Sequence, residues 1–437
     1  MIPPKSKQGL PLFLQFSLQM PPGCCIIFGL TISKGWMEMN ILVINAGSSS
    51  LKFQLIDMET ERARIVGGCM RIGLEGSHME ARLPGGEETK FDLPMEDHAQ
   101  AFLAVKNALV SGKTRVIDSL EEINAVGHRV VQGGPRLQRS VLIDDGVLRE
   151  IEELSELAPL HNPAHVLAMR ACRAVFGGEL PQVAVFDTAF HSTMPPEAYV
   201  FPLPYEYYEK YKIRRYGFHG TSHKFVSDRC AQVMDRPLSE LKLVTCHLGN
   251  GSSITAVKYG KSVDTSMGLT PLDGFMMGTR CGAVDPSAVL YLMQKEGWGP
   301  EETSDVLNKE SGALGVSGVS SDDRDVKAAA AEGNERALLA RAIQRYQVRK
   351  CIGAYAAAMD GVDAIVFTGG IGENTYDLRE DVCKHLTYLG VTFDGEANLR
   401  CIRGVEGEIS GPESKVRVFV LPTNEELLIA RETKGLC

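Results

Sequence analysis

One device occurs twice in this chain and limits its fold more than any other feature. Ile41 to Ile44 is an apolar strand that runs into Asn45-Ala46-Gly47-Ser48-Ser49-Ser50, and the chain leaves through a second strand in which Leu51, Phe53 and Leu55 alternate with Lys52 and Gln54. The pattern predicts a hairpin with a small polar tip, whose closely spaced N–H groups and hydroxyls can wrap an anion beside the Lys52 charge. About 200 residues later Leu243 to Leu248 meets Gly249-Asn250-Gly251-Ser252-Ser253 before a strand resumes at Ile254 to Val257. Two copies at that spacing predict a duplicated α/β core, each half presenting one hairpin to a shared cleft.

A third glycine cluster, Thr368-Gly369-Gly370-Ile371-Gly372-Glu373-Asn374, follows the apolar strand Asp363 to Phe367, an order suited to a nucleotide site. The length of 437 residues and a hydrophobic content of 44% allow two or more conventional cores. The net charge of -9 argues against nucleic acid or an anionic membrane as partner, so any bound anion must be held by a local cluster of positive groups. The 11 cysteines have no C-x-x-C spacing and read as reduced thiols of a cytoplasmic protein, with neither zinc site nor disulfide framework expected. Residues 1–38 differ from the rest: no Asp or Glu occurs before Glu38, and neither apolar run is long enough to span a bilayer. They are expected to be an extension from a start assigned too early, with Met37 or Met39 the functional start and a targeting peptide the lesser alternative.

Strands and helices then alternate. Residues 98–111 are expected to be helical, Ile123 to Val131 a strand that ends at His128-Arg129, and Val147 to Leu157 a helix. Asn162-Pro163 is expected to cap the next helix, with His161 just before the cap. Pro181 to Phe186 delivers Asp187 to a strand's carboxyl end, where α/β sheets bind ligands. Two glycines bracket Phe218-His219. Arg280 lies on the glycine-punctuated loop from Thr270 to Gly282, a way to present a charge to a phosphoryl group. Asp322-Asp323-Arg324 reads equally as a helix cap or a second charged loop, Arg336 to Met359 as the main late helix, and Glu425-Glu426 as the start of a terminal helix whose carboxylates could face a cleft. Glycine loops, loop arginines and histidines, and cleft carboxylates together suit phosphoryl transfer.

The segments Asn45-Ala-Gly-Ser-Ser-Ser-Leu-Lys-Phe, Gly127-His-Arg-Val-Val, Pro159-Leu-His-Asn-Pro-Ala, Phe186-Asp-Thr-Ala-Phe-His, Tyr216-Gly-Phe-His-Gly-Thr-Ser-His, His247-Leu-Gly-Asn-Gly-Ser-Ser, Met277-Gly-Thr-Arg, Thr368-Gly-Gly-Ile-Gly-Glu-Asn and Thr423-Asn-Glu-Glu resemble the acetate kinases in order, from Met39 to the C-terminus. The resemblance implies an α/β fold of two duplicated actin-like ATPase (ribonuclease H-like) domains around a nucleotide cleft: residues 39–191 with 424–437, and residues 192–423. It implies a homodimer that transfers the γ-phosphoryl of ATP to acetate, with Mg²⁺ as cofactor and Mn²⁺ as an alternative. Propionate kinase is the near alternative; an Hsp70-like nucleotide switch and a hydroxyl-directed sugar kinase are the distant ones.

Position by position, Asn45 and Glu425 resemble the metal-associated residues, and Ser48, Ser50 and Lys52 the first phosphate hairpin. Arg129 and Arg280 resemble the charges on the carboxylate and phosphoryl, His219 the stabiliser beside Arg280, Asp187 the active-site acid and His161 another cleft residue. His247, Leu248, Gly249, Asn250, Gly251, Asp322, Asp323, Arg324, Gly370, Ile371, Gly372, Glu373 and Asn374 resemble nucleotide contacts. Val131, Leu160, Phe218 and Pro271 resemble the pocket for the acyl methyl. Gln132 and Ala283 depart from the family pattern. Because acetate is already ionised at neutral pH, no general base is needed, and Asp187 is expected to hold Mg²⁺ or to orient Arg129.

Overall fold

The first hairpin forms as its alternation predicts. In the computed structural model, which describes residues 39–159 and 161–437, β1 (Asn40–Ala46) and β2 (Ser50–Asp57) pair antiparallel with Leu51, Phe53 and Leu55 buried and Lys52 exposed. The expectations for residues 1–38 and for Leu160 lie outside the described residues. β3 (Arg62–Met70), β4 (His78–Arg82) and β5 (Glu88–Asp92) extend the sheet on the β2 side, and β6 (Ile123–Val130), β7 (Val141–Leu142) and β8 (Gln182–Phe186) complete the other, in the order β5-β4-β3-β2-β1-β6-β8-β7.

A second sheet contains β9 (Lys242–Leu248), β10 (Ser252–Lys258), β11 (Lys261–Thr265), β12 (Ala364–Thr368), β13 (Gly407–Glu408) and β14 (Arg417–Val420), in the order β11-β10-β9-β12-β14-β13. Its pairings repeat the first sheet's. β1 and β9 each sit between an antiparallel hairpin partner (β2, β10) and a parallel strand (β6, β12). Each parallel strand is followed by a second parallel one (β8, β14), then a short antiparallel edge (β7, β13). The fold is a duplicated, actin-like α/β fold, with β4 and β5 as additions to the first half.

Helices cover both faces of each sheet, as buried apolar strands require. His98–Val110 and Asn162–Phe176 pack on one face of the first sheet, and the C-terminal helix Glu425–Lys434 covers the other through Leu427, Ile429 and Ala430. Glu335–Ala358 and Tyr376–Lys384 pack on one face of the second sheet, and Gly220–Met234 covers the other through Val226 and Cys230. Gly220–Met234 and Glu425–Lys434 also pack together. Glu38–Cys437 is therefore one compact unit in which these two helices join the halves.

One local expectation is corrected. Asn162 does not cap its helix: His161 holds the cap position without a side-chain bond. The buried Asn162 amide instead donates to the carbonyls of Gln132 and Ile151, at 3.0 and 3.3 Å, and its Oδ1 accepts from the Gln132 N–H. The side chain joins the helix start to the turn after β6. The nine described cysteines are all free, and six are buried.

Candidate active site

Parallel pairing of β6 with β8 places Arg129 opposite Val185, so Asp187 emerges one residue past the sheet beside the Arg129 side chain. The guanidinium donates twice to Asp187, Nε to Oδ1 at 3.0 Å and Nη2 to Oδ2 at 2.7 Å. Asp187 is buried, and Arg129 is partly open to the cleft. Burial disfavours the Arg129 charge, but Asp187, followed by Glu425, outweighs it and holds the guanidinium above its ordinary pKa. Nη1 keeps no partner among the described residues and is free to receive an anion.

His219 reaches the same place because the glycines around it permit close approach. The Gly220 N–H donates to the Asp187 carbonyl at 2.9 Å, and a Cβ at position 220 would lie 2.1 Å from that oxygen. His219 itself is left-handed, with φ of 56°. Its ring stacks on His247 with centroids 4.2 Å apart, and its Nδ1 meets the Ser253 hydroxyl at 2.9 Å. The Nε2 edge borders Gly251, where the Arg280 Nη1 also arrives. Burial first, and then His247 and Arg129, push His219 well below the ordinary histidine pKa. His161 is lowered in the same way by burial, Arg280 and Arg129. Both rings are therefore neutral donors or acceptors at pH 7.

Arg280 is held by the Pro271 carbonyl at 3.3 Å and rests on the Met277 sulfur at 4.0 Å. Burial lowers its pKa, and among the described residues no carboxylate pairs with it. A half-buried guanidinium without a counter-charge is costly unless an anionic ligand supplies one. Val131 and Phe218 form one buried apolar cluster with Met267 and Met277. Of the expected pocket residues, Val131 and Phe218 are therefore joined, and Pro271 contributes its carbonyl to Arg280. The two methionines went unrecognised in the sequence because they sit on loops without periodicity.

The C-terminal helix packs against the strands of the first hairpin, and its first turn lies near both Arg129 and Lys52. Asn45 pairs with Lys52 in the β1–β2 ladder, and Gly47 closes the tip through its N–H to the Ser50 carbonyl at 2.7 Å. The exposed Ser48 lies on that tip. Asn424 caps the C-terminal helix, which leaves Glu425 and Glu426 in its first turn, and the Thr221 hydroxyl donates to Glu425 at 3.4 Å. Burial, aided by Glu425, raises the Glu426 pKa against the opposing fields of Arg129 and Lys52.

On the other side of the second hairpin a cavity of about 630 Å³ is lined by Gly249, Asn250, Asp322, Asp323, Arg324, Gly370, Ile371 and Asn374. Ser321, Lys327 and Thr375 line it as well and were not anticipated. Asp322 is the N-cap of its helix and pairs with the exposed Arg324. Asp323 is engaged by Arg341 and the Thr375 hydroxyl. Five expected contacts lie off this lining, the first of them His247, whose ring stacks on His219. The Leu248 side chain is core, the Gly372 carbonyl accepts from Arg379, and Gly251 faces Arg280 and His219. The Glu373 carboxylate accepts from the Gly369 and Thr423 N–H groups and so fixes the glycine turn to the segment before Glu425.

Three residues behind His219 were also missed. The His223 Nε2 lies 2.7 Å from the same Ser253 hydroxyl, and its Nδ1 lies 2.7 Å from the Thr245 hydroxyl. A usable signal existed: Thr245 with His247, and Ser253 with Thr255, are polar residues at alternate positions of otherwise apolar strands, hence on one face.

Among the described residues no group of three or more His, Cys, Asp or Glu side chains converges as a metal cage. A divalent ion that rides on substrate phosphates needs only one or two protein carboxylates, and Glu425 in the first turn of the C-terminal helix offers an oxygen donor of that kind.

A duplicated actin-like fold, with two arginines and neutral histidines around a cleft and a glycine-lined cavity beside it, defines a phosphotransferase. The profile of the acetokinase family matches residues 40–431. The chain belongs to that family. It is 56% identical to acetate kinase from Halothermothrix orenii over 395 residues, covering 90% of this chain and 98% of the relative. The crystal structure of Porphyromonas gingivalis acetate kinase is 46% identical and superimposes with a TM-score of 0.88, over 91% of this chain and 99% of that one. A propionate kinase from Francisella tularensis is 43% identical with a TM-score of 0.85, over 91% of this chain and 100% of the other.

Proposed function

We propose that this chain performs the acetate kinase reaction, reversible transfer of the ATP γ-phosphoryl to acetate to give acetyl phosphate and ADP. The observation that carries the reading is Arg280, half-buried without a carboxylate partner, facing neutral His219 beside the small apolar cluster of Val131, Phe218, Met267 and Met277. An anion with a short apolar tail meets both needs. Acetate arrives ionised, so no residue has to remove a proton. Its carboxylate would sit on the free Nη1 of Arg129 with the methyl in the apolar cluster, and attack the γ-phosphorus in line. Arg280 and His219 would take the charge that spreads over the equatorial oxygens.

Asp187 would act through Arg129, by fixing the guanidinium plane. Glu425 and Asn45 would hold Mg²⁺ or Mn²⁺, which when bound neutralises phosphate charge. Ser48, Ser50 and Lys52 would line the phosphate path, and the cavity beside Gly249, Asn250 and Gly370 would take the nucleoside. His161 lies in the fields of both arginines and would border the acyl group. The C-terminal helix on the first sheet supports grouping residues 424–437 with 39–191, against 192–423, as two halves that close on ATP.

Two further assignments belong to the same reading. A homodimer is supported by the helix Pro286–Glu296, which buries none of its residues and exposes Leu290, Tyr291 and Leu292. A cytoplasmic location is supported by the free cysteines, and no described helix is long and apolar enough to cross a membrane. The reaction is tested by incubation with Mg·ATP and acetate and capture of the product with hydroxylamine. Acetohydroxamate formed in step with ADP is expected. ADP release without hydroxamate, or phosphorylation of a sugar instead, would reject the reading.

A further inference from the structure

The chain Thr245–His223–Ser253–His219 has one open end, in the cleft, and its hydrogen positions follow from counting donors. Thr245 Oγ1 meets His223 Nδ1 at 2.7 Å, His223 Nε2 meets Ser253 Oγ at 2.7 Å, and Ser253 Oγ meets His219 Nδ1 at 2.9 Å. Thr245, His223 and Ser253 are fully buried. Among the described residues the Thr245 hydroxyl has no second partner, so its hydrogen can only be satisfied by donation to His223 Nδ1.

Each later position is then determined. A neutral His223 that accepts at Nδ1 carries its hydrogen on Nε2 and donates it to Ser253. Ser253, having accepted, turns its own hydrogen to His219 Nδ1. His219 therefore carries its hydrogen on Nε2, the nitrogen that borders Gly251 and the Arg280 guanidinium and has no partner among the described residues. The opposite polarity would leave the Thr245 hydrogen buried and unbonded, and would turn a lone pair, not a donor, toward the phosphoryl oxygens.

We infer that Thr245, His223 and Ser253 are positioning residues that hold His219 as the Nε2–H tautomer, a neutral donor aimed at the transferring phosphoryl group. The inference rests on the proposed reaction for its purpose, but not for its structure. The lowered pKa values of both rings support neutrality throughout the chain. His191 gives a second hold on the same segment. Its Nε2 can only donate to the Phe218 carbonyl, at 3.0 Å, while Nδ1 takes the Ser262 hydroxyl at 2.9 Å.

The direct test is the side-chain ¹⁵N spectrum of the full-length protein labelled at histidine, with His219 assigned by the signal lost in His219→Gln. The expected pattern at pH 7.5 is a neutral ring with its hydrogen on Nε2 in the wild type. In Ser253→Ala the expected pattern is a mixture of tautomers, with kcat lower by roughly 10- to 100-fold through loss of orientation and KM values little changed. Hydrogen on Nδ1, or a doubly protonated ring, would overturn the inference while leaving the kinase reading intact. A Ser253→Ala protein that keeps both the single tautomer and wild-type kcat would overturn it too. Failure to make acyl phosphate at all would instead count against the proposed function, since the spectrum does not depend on turnover.

Discussion

Arg129 and Asp187 are joined by two parallel hydrogen bonds, and the buried member of the pair is the carboxylate. That geometry suits a role for Asp187 in orienting the arginine, since each carboxylate oxygen accepts one guanidinium hydrogen. Asp187→Asn should lower kcat/KM for acetate by at least about 10²-fold, and added Mg²⁺ should not restore it. Loss of one partner from a buried pair should also cost about 3 kcal/mol of stability, measurable by urea unfolding. Substantial recovery of activity at high Mg²⁺ would return Asp187 to the metal.

Arg280 presents the reverse case. Its charge is partly desolvated and has no carboxylate to lose, so Arg280→Ala should leave the unfolding midpoint unchanged or slightly higher. Turnover should fall by roughly 10³-fold or more, as expected for an arginine that meets a transferring phosphoryl group. Retention of more than a tenth of wild-type kcat would remove Arg280 from that role.

Acid should unfold the protein through its buried histidines. Burial lowers His128 and His191 to about 4 and His165 to about 3. The unfolded chain takes up these protons near pH 6.5, and the folded chain only well below it. Stability is therefore complete above about pH 6.5 and is lost as the pH falls from there toward 4. Urea midpoints measured every half unit should show that decline, and His165→Gln should make it shallower. A flat profile over this range would contradict the assignment.

Acyl selectivity should follow the apolar cluster. One methylene is worth ~1–3 kcal/mol in such a pocket, so the wild type should use propionate more slowly than acetate. Val131→Ala should raise the propionate-to-acetate ratio of kcat/KM by about tenfold. An unchanged ratio would place the methyl elsewhere.

The hairpins, the late helix and the strand that delivers Asp187 were legible in the sequence because each is a local pattern of period 2 or 3.6. The resemblance supplied the order of the site residues, and the topology supplied the duplication: identical neighbours around β1 and β9, which spacing alone only suggested. What local reading could not give is what long-range packing decides. Asn162 looks like a cap, yet its amide reaches back to Gln132, 30 residues earlier. That Asp187 stands beside Arg129 could not be read locally, since the β6–β8 register brings the two together. Met267 and Met277 join Val131 and Phe218 only because two loops meet.

The central claim is that the carboxylate takes the phosphoryl group directly, with His219 a donor and never a nucleophile. The most direct measurement is the stereochemical course at phosphorus with ATP made chiral at the γ-position by oxygen isotopes. A single in-line transfer predicts inversion of configuration in acetyl phosphate. Net retention would mean two displacements through a phosphorylated side chain, and would contradict the account.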